Sequence, residues 1–289
     1  MGRFDGALLL SDFDNTLLYT EEGLRTGAAL PPLPERNLAA IRRWMAEGGV
    51  FAVATGRAMA AYRRYAGMIP TNAPAIVDNG GGIYDYRREA YVYATALPET
   101  TRLRLAAVRE AFPQVSLELY HPDGGIQVVN PSPWNARHAQ LTGVTYQVAA
   151  DLEEGTVGTA LSKALFVAEH GELERVREFL ARRGWAEDYE LIFSSGHLLE
   201  MTARGADKGA MALRLKALCR CEKLYCVGDH MNDLPMLRLA DAAFAPANAV
   251  EEVLSSGVRV VCHCREGAVG AVIEALEAGE PEGAPGVSL

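Results

Sequence analysis

Apolar and polar positions alternate along this chain in two distinct rhythms. The run "ALLLSD" is apolar almost without a break until its last residue, the pattern of a strand buried on both faces. It is followed by "PERNLAAIRRWMAEGG", where Leu38, Ile41 and Met45 share one helical face and Gly48-Gly49 supply the stop. The strand "VFAVAT", the helical "GRAMAAYRRYAGM" and the strand "PAIVDNGGG" come next. Far downstream the same rhythm resumes with helix "DKGAMALRLKAL", strand "KLYCVGD", helix "NDLPMLRLA", strand "AAFAPA", helix "NAVEEVLSSG", strand "VRVVC" and helix "GAVGAVIEAL". Apolar strands alternating with amphipathic helices predict an α/β fold with a doubly wound, mostly parallel sheet covered on both faces.

Between residues 83 and 205 the texture changes. The segments "AYVYATAL", "VSLELY", "GIQVV", "ALFVA" and "ELIFSSGHLLEMT" read as strands, and "PETTRLRLAAVREAF" and "ELERVREFLARRG" as two helices. Strands here follow one another or flank helices without strict alternation, which predicts an inserted α+β domain. The sequence therefore divides into a core of residues 1–82 and 206–278, an insertion of residues 83–205, and a Gly- and Pro-rich tail, residues 279–289, expected to be flexible.

A length of 289 residues suits one large or two smaller domains, and 49% apolar with 22% charged residues is ordinary for a soluble enzyme. The net charge of -9 argues against a general nucleic-acid or anionic-membrane binder. No apolar run approaches the ~20 residues of a membrane span, and "MGRFDGALLL" is a poor secretion signal, so the cytoplasm is the expected location. Nothing in the sequence speaks to oligomeric state.

Candidate chemistry gathers where the apolar strands end. In an open parallel sheet ligands bind beyond the carboxyl ends of the strands, and those ends carry Asp12, Thr55 and Asp229. Asp12 and Asp14 are two apart, which in extended backbone turns both side chains the same way. Two such carboxylates repel unless a cation lies between them or one holds a proton, and a hard divalent ion such as magnesium suits oxygen ligands. A turn or helix-capping role is the plainer alternative for the pair. "VATGR" sets the Thr55 hydroxyl and the Gly56 amide at a helix start, a cradle for an anion or simply a cap. "GADKG" sets Lys208 before another helix, where an ammonium could meet phosphate or merely face water. "VGDHMNDLPML" adds Asp229, with Asn232 and Asp233 on the loop beyond.

At these residues the sequence resembles the haloacid dehalogenase superfamily of phosphotransferases, and within it the Cof-like branch, whose cap lies between the second and third motifs. "DFDNTLL", "ATGR", "GADKG" and "GDHMNDLPML" stand in the family order, with "VDNGGGIYD" and "LLEMTARGADKG" in support. The resemblance implies a Rossmann-like core with an inserted cap, and a magnesium-dependent phosphatase of a small phosphorylated metabolite. Asp12 would be the nucleophile that becomes an aspartyl phosphate, and Asp14 the acid that protonates the leaving oxygen and then activates water. The Asp12 carboxylate, the Asp14 backbone carbonyl and Asp229 would hold magnesium. Thr55, Gly56, Lys208 and Asn232 would bind the phosphate, and Asp233 would position Lys208 or metal-bound water. Asn15 stands where the family often has Gly, and Asn tolerates left-handed backbone. Residues 19–37 form a longer lead into the first core helix, expected to enlarge a flap beside the site.

The five cysteines, in "CRCEKLYC" and "CHC", lack paired C-x-x-C spacing and read as reduced thiols rather than a zinc site. His230 reads as a variable loop residue, and His121, His138 and His197 as lining the insertion or facing solvent. Residues 121–135 and 194–200 are the expected readers of the leaving group. A phosphomutase using the same intermediate is one alternative, and a non-catalytic sugar-phosphate sensor another. The complete set of acids with Lys208 weighs against the sensor.

Overall fold

The computed structural model describes residues 2–26, 30–156 and 160–279. Apart from Gly279, the tail expected to be flexible lies outside the described residues, as do residues 27–29 of the expected flap. In chain order the strands are β1 (Ala7–Asp12), β2 (Val50–Ala54), β3 (Ala75–Val77), β4 (Gly82–Asp85), β5 (Ala90–Ala94), β6 (Ser116–Tyr120), β7 (Ile126–Val129), β8 (Gln147–Ala149), β9 (Lys163–Val167), β10 (Tyr189–Ser195), β11 (Leu198–Ala203), β12 (Lys223–Val227), β13 (Ala242–Pro246) and β14 (Arg259–Val261). They form two sheets in two compact units, one of the described residues within 2–58, 62–92 and 207–279, the other of those within 59–61 and 93–206. No helix among the described residues is long and apolar enough to cross a membrane.

The first unit is α/β, with an eight-stranded sheet ordered β14-β13-β12-β1-β2-β3-β4-β5. Pairing is parallel from β14 through β3 and antiparallel between β3 and β4. Leu8, Leu9 and Leu10 are wholly buried at its centre, as the unbroken apolar run requires. From β1 the chain winds outward through β2 and β3, then returns to the other side of β1 with β12, β13 and β14. The strand order therefore reverses between β1 and β12. A crevice opens at such a switch point, beyond the carboxyl ends of those two strands.

The sequence boundary at residue 82 falls inside this sheet. β4 begins at Gly82, and both it and β5 extend the first sheet, whereas "AYVYATAL" read as part of the insertion. Alternating exposure along β5 marks an edge strand, and composition cannot say which sheet an edge strand joins.

The second unit is α+β, a six-stranded sheet ordered β10-β11-β9-β6-β7-β8 and antiparallel except at β7–β8. One face contributes Leu117, Leu119, Phe166 and Leu199 to an apolar cluster with Leu105 and Val108 of helix Thr101–Ala111 and Leu173, Val176 and Leu180 of helix His170–Arg182. The alternate strand positions carry Glu118, Tyr120, Lys163 and Glu200 to the opposite face. There Lys163 Nζ lies 3.3 Å from Glu200, and Glu118 accepts from Asn135 at 2.9 Å and Tyr120 at 2.8 Å and touches His138 Nδ1 at 2.9 Å.

Candidate active site

β1 delivers Asp12 to the switch point as its last residue, and β12 delivers Asp229 two residues beyond its end. Helix Lys208–Leu218 starts at the same place. Its N-terminus is fixed by Asp207, whose carboxylate accepts from the Ala210 N–H at 2.8 Å. It is fixed again by Gly80, which sits at φ +99° against the Asp207 backbone, where any β-carbon would collide with the carbonyl.

Lys208 is wholly buried and its ammonium donates to Asp12 at 2.6 Å and to Asp233 at 2.7 Å. Asp233 is held in turn by the backbone N–H groups of Asp229 and His230, each 3.0 Å from its other oxygen. Asp229 accepts from the Thr16 hydroxyl at 2.8 Å. Oxygens of Asp12, Asp229 and Asp233 all lie within 4.8 Å of one another. Three carboxylates against one ammonium leave two formal negative charges in a site shielded from water.

That imbalance appears in the acidities. Burial, reinforced by Asp233, Asp229 and Asp14, pushes the Asp12 carboxyl well above the usual range against the pull of Lys208. Burial and Asp233 push Asp229 up to about 7, although Thr16 and Lys208 work the other way. For Lys208 burial acts to lower the pKa, but Asp12 and Asp233 overcome it and the net shift is upward. A buried cluster of acids with excess charge and only oxygen donors fits a hard divalent cation, which would supply the missing positive charge.

The phosphate-binding candidates lie around this cluster. Asp12 pairs with Ala54 across β1 and β2, so Thr55 stands one step beyond it. Thr55 is buried, and its hydroxyl accepts from the Arg57 N–H at 3.0 Å. Gly56 packs against the Asn79 amide, whose oxygen accepts from Asn232 at 2.7 Å. Asn79 thus ties the second motif to the fourth.

Asp14 departs from the expected geometry. Its carboxylate does not join that of Asp12, because the chain leaves β1 at Asp12 and turns. Asn15 occupies that turn at φ +56°, the left-handed backbone expected of it, and its side-chain oxygen accepts from the N–H groups of Thr20 and Glu21. The Asp14 carboxylate instead takes two bonds from Arg57, at 2.6 and 2.8 Å. Asp233 is the third acid of the cluster in its place. Thr16, Arg57 and Asn79 were not singled out from sequence. Each lies inside a motif or its neighbour "VDNGG", but its partner is far along the chain: 43 residues from Arg57 to Asp14, 153 from Asn79 to Asn232 and 213 from Thr16 to Asp229.

A family model described as haloacid dehalogenase-like hydrolase matches residues 9–273. The chain is 23% identical over 266 residues to 5-amino-6-(5-phospho-D-ribitylamino)uracil phosphatase YitU of Bacillus subtilis, covering 85% of this chain and 88% of that protein. It is 24% identical over 251 residues to pyridoxal phosphate phosphatase YbhA of Escherichia coli, covering 84% and 88%. In fold it is similar to a haloacid dehalogenase-like hydrolase from Bacteroides thetaiotaomicron, with a TM-score of 0.76 and 22% identity over 95% of this chain and all of that one.

Proposed function

Because the chain belongs to the haloacid dehalogenase-like hydrolase family, we propose that it is a magnesium-dependent phosphatase of a small phosphorylated metabolite, working through an aspartyl phosphate on Asp12. The observation that carries this reading is the meeting of Asp12, Asp229, Asp233 and the buried Lys208 at the sheet's switch point. Asp12, Asp229 and the Asp14 backbone carbonyl would hold the magnesium, which would neutralise charge and polarise the phosphoryl group.

The protein's own groups do the rest. A carboxylate oxygen of Asp12 attacks phosphorus as the bond to the leaving oxygen breaks, and Asp14 gives that oxygen its proton. Water then attacks the aspartyl phosphate, Asp14 takes the water's proton, and the bond from phosphorus to Asp12 breaks. Lys208, Thr55, Gly56 and Asn232 steady the phosphoryl oxygens, and Asp233 keeps Lys208 aimed at Asp12. The first compact unit is the catalytic core and the second its cap, which selects the leaving group, in a cytoplasmic setting. Relatives named for a phosphorylated ribitylaminouracil and for pyridoxal phosphate support small phosphate monoesters as the substrate class.

A panel of phosphate esters with magnesium, scored separately for free phosphate and for isomerised product, tests the reading. Released phosphate supports it. Isomer alone identifies a mutase, and binding without turnover a sensor.

Metal dependence carries its own prediction. Chelation should abolish turnover while circular dichroism is unchanged, and magnesium should restore it. Since Asp229 is pushed up to about 7, a cation must displace its proton at lower pH. Magnesium affinity should therefore fall by up to about tenfold per pH unit below neutrality and level off above it, with proton release seen by calorimetry. An affinity constant across that range would contradict the assignment.

A further inference from the structure

Arg57 is anchored more firmly than an anion-binding loop requires. Its N–H donates to Thr55 Oγ1 at 3.0 Å and its carbonyl accepts from the Asp78 N–H at 2.9 Å, so the main chain is tied on both sides. The guanidinium carbon lies 5.2 Å from the centre of the Phe13 ring and 5.0 Å from that of Tyr65. Phe13 stands between Asp12 and Asp14 and is itself wholly buried. The Arg57 side chain is 6% exposed, against 27% for its partner Asp14. The cation is thus enclosed while the carboxylate keeps an open side.

Arg57 Nε donates to Asp14 Oδ2 at 2.8 Å and Nη2 to Oδ1 at 2.6 Å. This two-point fork fixes the plane of the carboxylate as well as its position, which a lysine cannot do. A fork uses one lone pair on each oxygen, so the outer lone pair of each remains available on the open side. The group can pass a proton there while still held.

We propose that Arg57 is the positioning residue for Asp14, fixing the carboxyl orientation from which protons pass to the leaving oxygen and from water. This inference rests on the function proposed above. It treats Arg57 as acting through Asp14 rather than on phosphate, although Arg57 directly follows the Thr55-Gly56 phosphate cradle.

The test compares the full-length wild type with Asp14→Asn, Arg57→Ala and Arg57→Lys on an alkyl ester, glycerol phosphate, and an aryl ester, p-nitrophenyl phosphate. A poor alkoxide leaving group needs its proton, whereas a phenolate departs without one. Arg57→Ala should lose on the order of 10²-fold in kcat on the alkyl ester, and less than about tenfold in the phenol burst with the aryl ester. Arg57→Lys should fall between it and wild type. Guanidinium ion, far below denaturing concentrations, should restore about tenfold or more of the Arg57→Ala alkyl activity by refilling the fork, whereas urea should not. Magnesium affinity by calorimetry should stay at the wild-type value.

Equal losses on both esters without guanidinium rescue, while Asp14→Asn shows the alkyl bias, would overturn this inference and leave the proposed function standing. An Asp14→Asn protein with no alkyl bias would remove proton transfer from Asp14, and the role of Arg57 with it. If Arg57→Ala does not fold, Arg57→Lys decides: a wild-type alkyl-to-aryl ratio overturns the proposal and a ratio shifted toward the aryl ester supports it.

Discussion

Asp12→Asn is expected to remove phosphate release by a factor on the order of 10⁵ or more while leaving a folded protein, because an amide of nearly the same shape cannot attack phosphorus. The loss should appear in kcat on alkyl and aryl esters alike, since no leaving group substitutes for a missing nucleophile. A second effect separates this variant from a damaged one. Without a cation, Asp12 adds to a buried cluster in which three carboxylates face one ammonium. Burial and the neighbouring acids already push its carboxyl toward the neutral form. Neutralising it permanently relieves that repulsion, and the asparagine oxygen can still accept from Lys208. The metal-free variant should thus melt at or above the wild-type temperature and bind magnesium more weakly. A metal-free melting temperature clearly below wild type would show that Asp12 is needed for the fold.

Lys208→Met should do the opposite to stability. Lys208 is wholly buried and bonds to Asp12 and Asp233, so an apolar side chain of similar length leaves two carboxylates without their shared cation. Removing one partner from a buried ion pair costs about 3–5 kcal/mol, most of it the cost of the charge left behind. Denaturant unfolding of the metal-free protein reads that loss directly. Magnesium should recover part of it, because an ion bound as proposed would also face these acids. Turnover should fall on the order of 10² to 10³ even with magnesium saturating, as expected for loss of one fixed positive charge at the reacting phosphoryl. A metal-free stability within about 0.5 kcal/mol of wild type would mean that water reaches these carboxylates and that the cluster is not the dry site described.

How much of this was legible in the sequence depends on the range of the contact. Elements carried by local pattern were readable: the leucine run of β1, the helix Glu35–Ala46 with Gly48 and Gly49 after it, and the strand-helix alternation around "KLYCVGD". The left-handed turn at Asn15 was readable as well, because few residues adopt that backbone easily. Helix Pro133–Thr142 carries a local signal, Ser132 then Pro133 at its start, yet its weak apolar periodicity hides it.

Beyond the convergence of strand ends and motifs on one crevice, most particular partners between distant segments were not readable. Nothing near Asp14 indicates that its carboxylate belongs to Arg57, 43 residues on, rather than beside Asp12. The two-residue spacing aims both side chains together only if the strand continues, and it ends at Asp12. The same limit hid that Asp233, expected to position Lys208 or metal-bound water, stands as the third acid of the cluster, and it placed the β4–β5 segment with the wrong neighbours, since register and partner are set by packing across the sheet.

The proposed mechanism stands or falls on Asp12 as the carrier of the phosphoryl group. Its most direct test is to mix the Asp14→Asn variant with magnesium and an aryl phosphate, quench in acid within the first turnovers, and locate phosphate by peptide mass spectrometry. Impaired water activation should leave close to one phosphoryl group per chain on Asp12, in step with a burst of phenol. Phenol release with no adduct at Asp12, or an adduct on another side chain, would contradict the account.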